Sequence, residues 1–193
     1  YKVIALDCDN TLWKGVCGEI GAMNVAVDEN FARLQEFVLE KYNEGFLVVL
    51  CSKNNEDDVW EVFDNHPQMK LKRKHIASYR INWDIKSNNL IDISKELNLG
   101  IDSFIFIDDS DFEVEQMTSS CADVLSLCLP EDSNDFVGFL NHTWAFDTFR
   151  VTEEDVQRNK RYQTEKERNA EQAKYTCMAD FLVSLEIKIN VSP

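Results

Sequence analysis

The sequence predicts an α/β fold, a doubly wound (Rossmann-like) parallel sheet, on three observations. Apolar runs of strand length, among them Val3–Leu6, Phe46–Cys51 and Phe104–Ile107, are continuous rather than alternating, as in strands buried on both faces. Segments with helical spacing of apolar residues separate these runs, as βα units require. Each run breaks off into polar residues at its C-terminal end, the edge on which open parallel sheets bind ligands.

Val3–Leu6 is the first strand and ends in Asp7-Cys8-Asp9-Asn10-Thr11. Over Glu29–Glu44, Phe31, Leu34, Phe37, Val38 and Tyr42 recur at helical spacing, and Gly45 follows where a C-terminal cap belongs. Phe46–Cys51 is the second strand and delivers Ser52; Asn54 or Asn55 then caps a helix over Glu56–Phe63. Ile76–Ile81 is a weaker third strand. Ser87 reads as the N-cap of a helix that runs to Leu97 and is closed by Gly100, so that Lys86 stands just ahead of it. Phe104–Ile107 is a strand ending in Asp108-Asp109; a helix from about Asp111 to Ser119, a strand over Val124–Leu129 ended by Pro130 and a helix near Asp135–Leu140 follow. Thr152–Lys174 is highly charged, with Thr152 and Asp155 placed as a capping box and a thin apolar stripe, which predicts a surface helix. A short helix over Met178–Leu185 and an edge strand over Ile187–Val191 complete the chain. The expected organisation is a catalytic core over 1–150 and a C-terminal extension over 151–193 packed on or extending it.

A chain of 193 residues is one domain of moderate size, and its 44% apolar and 28% charged composition is ordinary for a globular protein. A net charge of −15 repels polyanions, which argues against a nucleic-acid partner. The longest apolar run is a handful of residues, far below the roughly 20 that a membrane span needs. The six cysteines form no CxxC pair, so zinc and disulfide frameworks are both disfavoured and a cytoplasmic location is expected. The chain opens inside one strand-like run and stops just past another, and the expectation is a segment cut from a longer polypeptide.

The polar strand ends carry the chemistry. Asp7 and Asp9, Ser52, and Asp108 and Asp109 share one edge of the predicted sheet. Carboxylates from two strands make an oxygen-rich site for a hard cation, and Mg²⁺ keeps few protein ligands, so that substrate phosphate can complete its shell. Lys86 supplies an ammonium to the same edge, and Ser52 can donate its hydroxyl to a phosphate oxygen. Together they suit nucleophilic phosphoryl transfer through an aspartyl phosphate. A lone Asp-x-Asp or Lys means little; the order along the chain is what carries the signal.

Asp7-Cys8-Asp9-Asn10-Thr11, Ser52, Lys86 and Asp108-Asp109 resemble the four motifs of the haloacid dehalogenase (HAD) superfamily of phosphohydrolases. The resemblance implies a nucleophile at Asp7, and a general acid and base at Asp9 that also offers its backbone carbonyl to Mg²⁺. It further implies phosphate binding by Ser52 and Lys86 with Asn10 and Thr11, and metal ligation through Asp7, Asp9 and Asp109 with Asp108 in support. Longer strings, Leu6 to Trp13, Gly18-Glu19, Cys51 to Asn55, Arg80 to Asp84 and Phe106 to Asp109, resemble the FkbH-like proteins. That likeness implies loading of a glyceryl or related unit from 1,3-bisphosphoglycerate onto the phosphopantetheine thiol of an acyl carrier protein, with loss of phosphate, in a polyketide synthase loading module. A capless phosphatase of a phosphoprotein or small phosphoester, and a non-catalytic docking module, are the alternatives.

Acyl transfer calls for an acceptor, and a thiol serves well. Cys8 and Cys51 are the candidates by position; alternation along the strands turns both away from Asp7 and Ser52 and favours plain burial. Trp13 and Trp83 flank the motifs as candidate linings for a pantetheine channel. Lys70, Lys72, Arg73, Lys74 and Arg80 form a basic cluster that is either a carrier-protein contact or a solvated face.

Overall fold

The computed structural model describes residues 1–147 together with 157–159, 161, 162, 164 and 168. The elements are β1 (Val3–Leu6), α1 (Cys17–Ile20), α2 (Glu29–Asn43), β2 (Leu47–Ser52), α3 (Glu56–Asn65), β3 (Ile76–Ile81), α4 (Lys86–Leu97), β4 (Phe104–Asp108), α5 (Asp111–Ser120), β5 (Leu125–Cys128) and α6 (Phe136–Asn141). All five strands are parallel, in the order β3-β2-β1-β4-β5. The order reverses at β1, so the crevice between β1 and β4 is the switch point where a doubly wound sheet binds its ligand.

Strands β1, β2 and β4 are buried along their whole length, which is why their sequences are continuous apolar runs. On one face Ile4, Leu6, Val48, Leu50, Ile105 and Ile107 pack with Phe31, Leu34 and Val38 of α2 and Val59, Val62 and Phe63 of α3. Right-handed crossovers put α4 and α5 on the other face, where the two helices contact each other and bury Leu90, Ile93, Leu97 and Met117. Gln35 is fully buried and fully used: Nε2 donates to the Leu12 carbonyl at 2.7 Å, and Oε1 accepts from Lys70 N and Leu71 N at 2.9 and 3.1 Å. It thereby ties α2 to the loop that follows β1.

Helix ends show where local signals succeed and fail. Asp28 caps α2 by accepting from Asn30 N and Phe31 N, and Gly45, at φ +104°, lets the chain leave that helix for β2. Helix α4 differs from expectation. It begins at Lys86 rather than after Ser87, Ile85 stands at the N-cap without a side-chain bond, and Asn98 in the left-handed region (φ 52°) closes it in place of Gly100. Lys86 therefore sits in the first helical turn, not ahead of it. Asn55 holds the N-cap position of α3 but its side chain makes no cap bond; its N–H donates instead to Oδ1 of Asn54. The four-residue helix α1 has too little periodicity to be seen in the sequence.

The chain divides into one compact unit over Tyr1–Asn159 and another over Lys160–Pro193, against an expected boundary at 150. Asn159 Nδ2 donates to the carbonyls of Tyr42 and Phe46 at 2.6 and 3.1 Å, which ties it to the end of α2 in the first unit. Of the helix expected over 152–174, the described residues 157–159, 161, 162, 164 and 168 are helical. The helix expected over 178–185 and the strand over 187–191 lie outside the described residues. Leu50→Ala, at a side chain with no exposure in β2, is expected to destabilise the protein by about 2–5 kcal/mol in urea denaturation, through lost transfer energy and the cavity left behind.

Candidate active site

Strand register brings the acidic ends together. Leu6 is level with Leu50 of β2 and Ile107 of β4, and Asp7 N continues the ladder by donating to the Ile107 carbonyl at 3.0 Å. Asp7 thus stands beside Asp108. Lys86, at the start of α4, reaches between them: Nζ lies 2.8 Å from Asp7 Oδ1 and 2.6 Å from Asp108 Oδ2. All three are buried, Lys86 at 4%, Asp7 at 6% and Asp108 at 0% exposure. Asp108 Oδ1 accepts from Ser110 N at 3.0 Å, and Ser110 in turn caps α5. Asp109, next along, is exposed.

Asp7, Asp108 and Asp109 each offer a carboxylate oxygen within 4.8 Å of the others. Burial and the neighbouring charge of Asp7 push the Asp108 carboxyl up to about 7, with Lys86 partly opposing them. Asp109 is also pushed up, by burial first and Asp7 second. Burial would lower Lys86, but the adjoining Asp7 and Asp108 outweigh it and hold the ammonium charged above its usual range. Three carboxylates against one ammonium leave an excess of negative charge that a divalent cation relieves. An all-oxygen donor set with one exposed member is the kind of site that hard cations take.

Asp9 is placed elsewhere. Its Oδ1 accepts from Trp13 Nε1 at 2.8 Å and from Cys17 N at 3.1 Å, and its Oδ2 from Asn54 Nδ2 at 2.7 Å. Its carboxylate is accordingly not among the clustered oxygens, and of the predicted metal ligands only Asp7, Asp108 and Asp109 bring side chains together. Asn10 takes the left-handed conformation (φ 55°), and its Oδ1 accepts from Gly15 N. Thr11 is fully buried with an Oγ1 that has no hydrogen-bond partner among the described residues. Ser52 ends β2 at 1% exposure, and its carbonyl accepts from Asn82 N at 3.1 Å.

Both thiols proposed as acyl acceptors are closed off. Cys8 joins the apolar cluster beneath α2 and α3. Cys51 projects to the opposite face and lies 3.4 Å from the Lys86 carbonyl. Neither has any exposure, and burial raises both thiols, Cys51 to about 12 and Cys8 well above its ordinary value. A thiol that is inaccessible and kept protonated is a poor nucleophile, so burial displaces the acceptor role at both positions. Trp13 is likewise buried against Phe63 and lines no channel, whereas Trp83 is 71% exposed. The basic cluster is largely spent locally: Lys70 pairs with Glu36, Arg73 with Asp64 and Arg80 with Glu96.

Sequence reading missed two features. One is the set of donors around Asp9; Asn54 stands in the sequence as a cap candidate and as part of the string Cys51 to Asn55, and no local pattern announces a partner 45 residues away. The other is the pair Lys53–Glu113, at 2.7 Å. Because β1 lies between β2 and β4, an ion pair from the end of β2 to α5 spans the end of β1 that carries Asp7.

No protein-family model matches the chain, and no curated protein matches it. Among solved structures, the N-terminal part of BF1531 from Bacteroides fragilis, which contains a phosphatase domain and was crystallised with Mg, is 36% identical with a TM-score of 0.72, over 78% of this chain and 41% of that one. This chain therefore spans less than half of that protein's crystallised length. The HAD domain of the effector Lem4 from Legionella pneumophila has a TM-score of 0.53 at 12% identity, over 81% of this chain and 96% of that one. The fold is of the HAD type. An uncharacterised protein from Corynebacterium glutamicum shares it at 12% identity and a TM-score of 0.51, over 75% of this chain and 94% of that one.

The raised Asp108 carboxyl has a consequence for stability. Between the ordinary carboxylate value of 3.8 and about 7, the native metal-free chain holds a proton that the unfolded chain releases. That contribution is complete at low pH and is lost as pH rises through this window. Melting temperatures of the metal-free protein from pH 4.5 to 7.5 should therefore fall more steeply for the wild type than for Asp108→Asn, and Mg²⁺ should restore the wild type at the upper end.

Proposed function

We propose that this chain is a Mg²⁺-dependent phosphotransferase of the HAD type that works through a phosphorylated Asp7. The observation that carries the reading is Asp7 held against Asp108 by the buried Lys86, at 2.8 and 2.6 Å, with Asp109 completing a cluster of carboxylate oxygens. The 36% identity to the part of BF1531 that contains a phosphatase domain and was crystallised with Mg supports it. Asp7, Asp108 and Asp109 are the side chains that would hold the ion. When bound, Mg²⁺ supplies the positive charge that lets an anionic phosphate approach an anionic nucleophile.

In this reading Lys86 fixes the rotamer of Asp7 and offsets charge on the incoming phosphoryl group. Ser52, one strand away, donates its hydroxyl to a phosphate oxygen. Asp9 gives a proton to the leaving oxygen and takes it back from the attacking water. Burial of Asp7, Lys86 and Asp108 keeps these electrostatic interactions strong.

A finer assignment follows the FkbH-like strings: transfer of a three-carbon acyl unit from 1,3-bisphosphoglycerate to the pantetheine thiol of an acyl carrier protein. Among the described residues, β1 and α2 are separated by the short helix α1 and two isolated bridges, Asp9 with Trp13 and Lys14 with Ala26, with no inserted cap. Trp83, two residues past β3, and Phe112, in the first turn of α5, are 71% and 65% exposed. An uncovered edge with exposed apolar groups favours a substrate arm carried by a large partner. With Cys8 and Cys51 buried, the pantetheine sulfur would attack the acyl carbon directly, the acyl C–O bond to phosphate would break to release orthophosphate, and hydrolysis of the remaining phosphate ester through Asp7 would leave the glyceryl thioester.

Phosphate release from p-nitrophenyl phosphate should require Mg²⁺ and should drop at least about a thousandfold in Asp7→Asn, while melting behaviour shows that the variant is folded. For the finer assignment, holo carrier protein incubated with 1,3-bisphosphoglycerate and the enzyme should gain the mass of a glyceryl unit on its pantetheine arm. Phosphate release without that gain leaves the plain phosphatase.

A further inference from the structure

The carboxylate of Asp9 is held by donors from three separate segments: the turn after β1 (Trp13), α1 (Cys17) and the loop after β2 (Asn54). A carboxylate offers about four lone-pair sites. Trp13 and Cys17 occupy both on Oδ1, and Asn54 occupies one on Oδ2, at 2.7 Å. The Cys17 thiol also faces this carboxylate, and Asn54 binds it at Oδ2. We infer that Asn54 is a positioning residue that fixes Oδ2 as the oxygen from which the catalytic proton of Asp9 is given; the inference rests on the acid and base role proposed for Asp9.

The orientation of the Asn54 amide is determined by its own surroundings. Oδ1 accepts from Asn55 N at 3.0 Å and from the Cys17 thiol at 3.7 Å, so Nδ2 must face Asp9. Asn54 is 4% exposed, and a Cβ added at Gly18 would meet its Oδ1 at 3.8 Å, so α1 closes over it. Asn54 and Ser52 leave the same strand end two residues apart, which couples the phosphate-binding hydroxyl to the placement of the proton donor.

The chemistry assigns Oδ2 two tasks. As a bond forms between an Asp7 oxygen and phosphorus, the bond from phosphorus to the leaving oxygen breaks, and the Oδ2 proton passes to that oxygen. In the second step a water oxygen attacks phosphorus, its proton passes to Oδ2, and the bond to Asp7 breaks to release orthophosphate. A nitrophenolate leaves without the proton, whereas an alkoxide does not; the second step needs Oδ2 in either case.

This asymmetry supplies the test, on the full chain with Mg²⁺. Asn54→Asp keeps the shape and removes the donor. It should hydrolyse glycerol 2-phosphate about a hundredfold more slowly than wild type, with no burst. On p-nitrophenyl phosphate it should release a rapid burst of about one nitrophenolate per enzyme and then turn over slowly, with phosphorylated protein visible by mass in acid quench. Asn54→Ala should reproduce the pattern without an added charge. An equal loss on both substrates with no burst, or no loss on either, would overturn the inference and mark Asn54 as a tie between segments. If the wild type hydrolyses neither ester and forms no phosphorylated protein, the proposed phosphotransferase reading is what fails, and with it the role of Asp9.

Discussion

The site is organised around a buried ammonium between two buried carboxylates. Taking Lys86 out of water costs several kcal/mol by itself, at roughly the scale of any desolvated ion, and only partners at 2.8 and 2.6 Å offset it. Lys86 opens α4, Asp7 follows β1 and Asp108 ends β4, so three elements must be in place before the charges can be satisfied. The pair geometry is thus a consequence of the packed sheet rather than a cause of its stability. An apolar triad would pack more comfortably. That a costly charge arrangement stands at the switch point of the sheet is the physical argument for a site.

Regular strand register does most of the positioning. Leu6 level with both Leu50 and Ile107 means that residues just beyond the strands arrive at the same height. Asp7 then faces Asp108, and Cys8, one residue on, drops into the apolar cluster with Leu6. The two-residue period of a strand separates reactive from inert side chains at adjacent positions. Asp9 escapes this rule because the chain turns through Asn10 in the left-handed region, and its carboxylate is captured by Trp13, Cys17 and Asn54.

Position next to a motif is poor evidence of a role. Cys8 and Cys51 adjoin the motif residues yet lie on opposite faces of the sheet, fully buried. Of the basic cluster, Lys70, Arg73 and Arg80 pair with Glu36, Asp64 and Glu96 at the surface, as a solvated face would. Asn54, by contrast, carries no charge and belongs to no local pattern, yet makes one of the shortest side-chain bonds at the site, at 2.7 Å.

From the sequence alone, the strand runs, their polar C-terminal ends and most helix bounds could be read, because periodicity and turn chemistry act over a few residues. The parallel α/β class and the edge that gathers Asp7, Ser52, Lys86 and Asp108 follow from that local information. Tertiary structure decided the rest: the strand order, the capture of Asp9, the pairing of Lys53 with Glu113, the burial of both thiols and the start of α4 at Lys86. Each of these depends on groups tens of residues apart meeting in a low-dielectric interior, where the demand to pair a buried charge or donor overrides any preference written in neighbouring residues.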